Sequence, residues 1–442
     1  MKAGWLIFLL AFAIRFINLL FLELDIETYL IEDQKFYWEW ALKGAYLPWN
    51  ELPETLLTER MPGSFWFFGF LQWLTNNNLH LILIFQSIID SLTCVIIYNC
   101  AGLLNKRYQL YTGLFASFSP LMIVISSQIL SDTIFLFTFT SCLYFLLKFI
   151  YLKNSDYILY LSGLFLGFSA FIRAASFPII FLSIPIIYCV IKLHRGENKK
   201  IFTSLVIFIF ISIIPISYRW VNNILYYDTY SLTSQSGSHM AYWMVPGVLS
   251  VSQGIDRNSS IDLVNLEINK IGGLTKEPYK DSNKMIGVSM EILSKENLFN
   301  ISYAWLRSSV LNIIVSPILI DNRVRNMPHP SFAKEGNIVK WMKTLILNKE
   351  NFLYLNILLF SFLFSLFSGV AFIIGYYFFI KTNFILSIIS FFIIAYFCFI
   401  TGPTISPKYC LPYIPIIFYL QAMSIDKLFL FMKKRKYSKA DH

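Results

Sequence analysis

Charge is scarce in this chain. Of its 442 residues only 14% are Asp, Glu, Lys or Arg, while 56% are hydrophobic. A soluble domain carries nearer about 25% charge, so this balance excludes a water-soluble enzyme and points to a protein largely immersed in lipid. Cysteine is sparse as well. The six, Cys94, Cys100, Cys142, Cys189, Cys398 and Cys410, belong to or flank apolar runs and show no C-x-x-C spacing, so they read as small buried residues with no disulfide framework. The five histidines, His80, His194, His239, His329 and His442, are too scattered to suggest a zinc site. A Walker A sequence and a dinucleotide glycine fingerprint are both missing, which argues against ATP-driven transport by this chain alone. The net charge of +10 does not indicate nucleic acid, because the basic residues sit in short clusters between apolar runs, where they act as topology signals.

What fills the chain is apolar sequence, with 43 Phe and 26 Tyr. Ten segments are long enough to cross or nearly cross a bilayer: 4–22, 81–100, 109–125, 133–152, 157–172, 176–192, 201–218, 352–378, 384–400 and 409–423. The first contains Arg15 and Asn18, lacks a small-residue cleavage site, and reads as a retained span. Lys106 and Arg107, Lys148 and Lys153, the cluster Lys192, Arg195, Lys199 and Lys200, and the basic tail KKRKYSKADH should face the cytoplasm. The acidic first loop, 23–79, and the long loop 219–351 should then face outward. The segment 301–320 contains Arg307 and reads as an interfacial helix, with an eleventh span as the alternative. The expected organisation is an all-α polytopic membrane protein: a transmembrane module at 1–218, an extracytoplasmic cap at 219–351, and C-terminal spans with a basic tail at 352–442.

Four features gather on the expected outer side, and each also has a purely structural reading. IEDQKFYWEWALKGAY at 31–46 puts Asp33, Tyr37 and Ala41 on one face of a surface helix, which equally suits an aromatic anchor in the headgroup layer. ERMPGSFWFF at 59–68 places Arg60 before Pro62 and Gly63, as at a helix start. SSQILSDTIF at 126–135 puts Asp132 at the outward end of a span, where a carboxylate is also favoured as a cap. Arg173 and Lys408 stand at outward span ends, where cations also snorkel. Together, cations, carboxylates and aromatics on one face would suit a lipid phosphate held at the interface.

With these pieces in order, the chain resembles the GT-C superfamily of integral membrane glycosyltransferases, in particular the branch with aminoarabinose transferases and protein O-mannosyltransferases. The resemblance rests on Asp33 with Tyr37, the Arg60/Pro62/Gly63 turn, SPLMIVISSQILSDTIF at 119–135, GLFLGFSAFIRAASFP at 163–178 and PKYCLPYIP at 407–415. It implies a GT-C type fold and an inverting transfer of a monosaccharide from a polyprenyl-phosphate donor to an envelope glycan or glycolipid such as O-antigen, lipid A or polysaccharide. The site would be extracytoplasmic, in the inner membrane. Asp33 would be the base, with Asp132 as a second catalytic carboxylate that orients a neighbour or the acceptor. Arg60, Arg173 and Lys408 would bind the donor phosphate, and Tyr37, Tyr409, His239 and Trp243 would contact substrate. Gln34 follows Asp33 where relatives often carry a second acid or a base, which leaves a divalent metal open; the residues indicate none. Lys408 stands where relatives usually carry Arg, and a lysine cannot form the bidentate fork. A protein O-glycosyltransferase of the same fold and a lipid or glycan transporter are the competing readings.

Overall fold

The computed structural model describes residues 2–23, 25–47, 51–152, 155–195, 198–330 and 338–438. Among them the regular structure is helical, with no strand. Of the basic residues used to orient the chain, Lys153 and residues 439–442 of the tail lie outside the described residues, as do 331–337 of the expected cap.

Among the described residues, seven helices are long and apolar enough to span a bilayer: Ala3–Leu20, Leu79–Leu104, Asp132–Leu152, Ile201–Tyr227, Lys349–Thr382, Phe384–Thr401 and Pro407–Leu430. Two more apolar stretches are bent pairs, Lys106–Ser117 with Pro120–Ser126 at 47° and Ala174–Leu182 with Ile184–Lys192 at 42°. Counting each pair as one span gives nine, and Asp156–Ile172 is a shorter apolar helix. Every one of the ten apolar segments in the sequence coincides with one of these elements. Leu298–Ile314, which covers most of the doubtful segment 301–320, is not among the helices that qualify as spans.

The chain divides into two compact units. The first comprises Met1–Ser236 and Glu277–Ser282, the second Gly237–Lys276 and Asn283–His442.

In the first unit, Leu79–Leu104 packs against Lys2–Leu20, Lys106–Ser117 and Asp132–Leu152, and Asp156–Ile172 lies against both Asp132–Leu152 and Asn198–Tyr227. The central helix carries a polar stripe at helical spacing, Gln86, Ser87, Asp90, Ser91 and Cys94, all buried. Such residues in an apolar span must find partners inside the bundle. Asp90 pairs at 2.5 Å with Nε of the fully buried Arg15, whose other nitrogens donate to the carbonyls of Ala11, Ser117 and Ala116 and to Cys94 Sγ. Ser117 and Ala116 end the first half of a bent pair, where carbonyls have no helical partner, so one guanidinium both neutralises a buried acid and caps a helix. Ser119 and Pro120 then start the second half, with Ser119 Oγ accepting from the Met122 amide. The bend therefore has a chemical cause on each side.

Two helices near the start complete this unit. Asp33–Tyr46 packs along Pro62–Thr75, with Tyr37 against Phe65 and Phe68 at ring separations of 5.2 and 6.1 Å. Pro62 occupies the first turn, as its missing amide allows. The next residue, Gly63, lies so close to the Asp156–Ile172 helix that a Cβ would come within 2.7 Å of the Phe171 carbonyl oxygen.

The second unit has a core of Ala241, Val245, Val248, Leu249, Val264, Ile268, Val288, Ile292, Leu293 and Ala304. Its long helices Phe352–Thr382 and Ile414–Ser438 pack together. Between Phe384–Thr401 and the 3₁₀ turn Pro407–Tyr413 the chain unwinds, starting at Gly402 with φ +69°.

Candidate active site

The Ser127–Ser131 turn, which precedes the Asp132–Leu152 helix, is held by side chains from three elements. The Tyr29 hydroxyl donates to the Ser127 carbonyl, Gln86 Nε2 donates to the Gln128 carbonyl at 3.1 Å, and the Ile129 amide donates to Gln34 Oε1 at 3.2 Å. Gln34, which looks like a departure in the sequence, is thus a buried tie that fixes where Ser131 and Asp132 stand.

Asp132 is almost fully buried, and its Oδ2 pairs with Arg173 Nη2 at 2.5 Å. Arg173 is the residue at which Asp156–Ile172 ends, in extended backbone, so its side chain leaves the bundle where the helix stops. Its Nε donates to Ser131 Oγ at 2.9 Å and its guanidinium lies 5.3 Å from the Phe135 ring centroid. The other oxygen, Asp132 Oδ1, is buried without a hydrogen-bond partner among the described residues. Arg173 keeps 27% of its side chain exposed. An orphaned carboxylate oxygen beside a partly open guanidinium is unusual in a settled interior and marks a place where another polar group fits.

A second pair lies alongside. Asp33 opens the Asp33–Tyr46 helix, and its Oδ1 accepts from Arg60 Nη2 at 3.0 Å. Glu32 before it takes φ +49°, a conformation non-glycine residues seldom adopt and one that collects at functional sites. Arg60 sits 5.9 and 6.0 Å from the rings of Phe36 and Tyr37. Burial works against its charge, yet Tyr37, Asp33 and Glu59 outweigh burial and raise its pKa above the ordinary guanidinium value. Tyr37 then reaches the first pair, its hydroxyl 3.5 Å from Ser131 Oγ. Five residues singled out in the sequence, Asp33, Tyr37, Arg60, Asp132 and Arg173, therefore form one connected cluster in the first unit, with Ser131 as the link.

Sequence reasoning missed the residue that holds Arg60 in place. Arg219, nearly fully buried within Ile201–Tyr227, donates to the carbonyls of Leu232, Leu56 and Arg60 at 3.1, 3.3 and 3.4 Å. Its acceptors are main-chain atoms of separate segments; the sequence signal is no more than an arginine near the end of an apolar run.

Residues 59–220 match the family described as dolichyl-phosphate-mannose-protein mannosyltransferase. The archaeal oligosaccharyltransferase AglB from Archaeoglobus fulgidus, solved with an inhibitory peptide and a dolichol-phosphate, superposes with a TM-score of 0.52 at 12% identity, covering 100% of this chain and 51% of AglB. The chain has the GT-C fold. It spans about half the length of AglB. ArnT from Cupriavidus metallidurans bound to undecaprenyl phosphate aligns at 12% identity over 96% of this chain and 77% of its own, with a TM-score of 0.41. No curated protein matches the sequence.

The remaining candidates of the GT-C reading lie in the second unit. Lys408 and Tyr409 belong to the Pro407–Tyr413 turn, with Lys408 Nζ 5.9 Å from the Tyr409 ring. His239 Nε2 contacts the Thr401 carbonyl at 3.1 Å; burial pushes its imidazole pKa below the ordinary value, and that carbonyl only partly restores it. Trp243 lies in a π-helical turn, Met240–Met244, with the Arg257 guanidinium 3.5 Å over its ring. π-helical turns recur at functional sites. Among the described residues no group of three or more His, Cys, Asp and Glu is arranged to hold a metal ion.

Proposed function

We propose that this protein is a membrane glycosyltransferase that moves a monosaccharide from a polyprenyl-phosphate donor to an envelope glycan or glycolipid on the extracytoplasmic side of the inner membrane. The observation that carries the reading is the cluster in which Asp33–Arg60 and Asp132–Arg173 are joined through Tyr37 and Ser131. The family match over 59–220 contains four of these six residues, Arg60, Ser131, Asp132 and Arg173, and AglB, of the same fold, was solved with a dolichol-phosphate.

The chemistry follows from the charges. A sugar on a lipid monophosphate leaves when the bond between its anomeric carbon and the phosphate oxygen breaks, and that oxygen gains a negative charge. Arg173 and Arg60, placed beforehand by Ser131 and by the main-chain grip of Arg219, stabilise the growing charge without reorganising. An acceptor hydroxyl attacks the opposite face and inverts the anomeric centre, while Asp33, with 45% of its side chain exposed, takes the hydroxyl proton. Asp132 Oδ1 is available to accept a hydrogen bond from the sugar or the acceptor and orient it.

The deciding experiment is transfer of radiolabelled sugar from a panel of polyprenyl-phosphate sugars to envelope extracts, with wild type beside Asp33→Asn. Loss of transfer in a folded variant supports the reading. Unchanged transfer removes Asp33 from the chemistry.

A further inference from the structure

The Leu298–Ile314 helix has polar residues where a surface helix would have apolar ones. Trp305, Ser308 and Asn312 recur at spacings of three and four, which puts them on one helical face, and Ser308 and Asn312 are buried. Trp305 bonds to the last turn of the Phe384–Thr401 helix, and Ser308 and Asn312 bond to the unwound chain that follows it. Trp305 Nε1 donates to the Phe399 carbonyl at 3.1 Å, Ser308 Oγ to the Gly402 carbonyl at 3.1 Å, and Asn312 Nδ2 to the Thr404 carbonyl at 3.0 Å. Asn312 Oδ1 also accepts from the Ser406 amide at 2.7 Å. One side-chain amide thus serves a carbonyl and an amide of the same segment, as a neighbouring strand would. Backbone that leaves a helix beside an apolar span needs such partners, since each unpaired group is costly there.

We infer that Asn312 is a positioning residue: by pairing with Thr404 and Ser406 it fixes the segment that presents Lys408, and so sets the affinity of Lys408 for a lipid phosphate. The inference rests on the assignment of Lys408 to the donor phosphate. One residue, Pro407, separates Ser406 from Lys408 and restricts the backbone, so a displacement at Ser406 carries directly to the lysine. The side-chain hydrogen bonds of Asn312 among the described residues go to Thr404 and Ser406, so it acts through the loop.

The test uses the full chain in nanodiscs and a short-chain polyprenyl phosphate without sugar as the probe. Asn312→Leu, which keeps the branching at Cγ, removes both bonds. Asn312→Asp keeps the contact with the Ser406 amide and loses donation to Thr404. A nitroxide at Ile405, which is 44% exposed, reports loop mobility. The expected result is a mobile nitroxide and about tenfold weaker probe binding in Asn312→Leu, an intermediate loss in Asn312→Asp, and no further loss when Asn312→Leu is added to Lys408→Ala. An immobile nitroxide in both Asn312 variants overturns the clamp. An affinity loss of full size in the Lys408→Ala background overturns its action through the lysine. Lys408→Ala with wild-type affinity refutes the phosphate assignment instead, and the nitroxide still decides the clamp. Should Asn312→Leu fail to fold, Asn312→Asp carries the same comparisons.

Discussion

The hydroxyl of Tyr37 lies 3.5 Å from Ser131 Oγ, and that oxygen is also the acceptor for Arg173 Nε. Two residues almost a hundred positions apart thereby bring a helix start from the first loop to the turn before a span. Tyr37→Phe removes the hydroxyl and leaves the ring on Phe65. Transfer should fall about threefold to tenfold, as expected for one neutral hydrogen bond, with the thermal midpoint within about 2 °C of wild type. Kinetics and scanning fluorimetry on one preparation separate the two effects; equal losses in both would make Tyr37 a packing residue.

Arg15 should behave as a structural residue. Arg15→Met leaves Asp90 charged and buried, which costs about 3–5 kcal/mol. Adding Asp90→Leu removes the stranded charge, and the double variant should recover most of that loss, short of the contribution from the carbonyls of Ala116 and Ser117. Denaturant titration in mixed micelles checks this. A double variant as unstable as the single one would show that carbonyl capping, not charge neutralisation, is the main contribution.

Gly63→Ala should separate two helices. The added Cβ would meet the Phe171 carbonyl and side chain at 2.7 Å, and backbone cannot yield as a flexible side chain can. Overpacking of this kind costs about 1–3 kcal/mol. Because Arg60 precedes this helix, transfer should drop more than stability does, and a variant that loses stability with wild-type transfer would dissociate the packing from the site.

His239 gives a pH dependence of known sign. Its pKa in the folded protein is lowered by burial, so below the ordinary value of 6.5 the unfolded chain binds the proton more readily and stability falls with decreasing pH until the folded pKa is passed. Thermal midpoints from pH 7.5 to 5 should decline in the wild type more steeply than in His239→Gln. Parallel slopes would show that the imidazole titrates freely in the fold.

Hydrophobic runs made the ten apolar elements readable, because a span is decided by local composition alone. Asp33, Arg60, Asp132 and Arg173 were readable for a related reason: each is an ionic residue at the edge of an apolar or aromatic run. The two bends were not read, since they depend on Ser119, Pro120 and a distant guanidinium acting together. The roles of Arg219, Gln34 and Asn312 escaped as well. Each residue bonds to main-chain atoms, and a main-chain carbonyl or amide looks the same under every side chain. Their one trace is a polar side chain in an otherwise buried setting, and the Trp305, Ser308 and Asn312 spacing is the clearest instance.

The four ionic side chains of the first-unit cluster carry two negative and two positive formal charges, which cancel. Such a group projects little field past the screening length of about 8–10 Å, so it cannot draw an anion from a distance through water. On the proposed reading the donor is tethered to lipid and has no need of that pull, because it arrives by sliding within one leaflet. Its capture rate should follow the density of donor in the membrane and respond little to salt in the surrounding buffer.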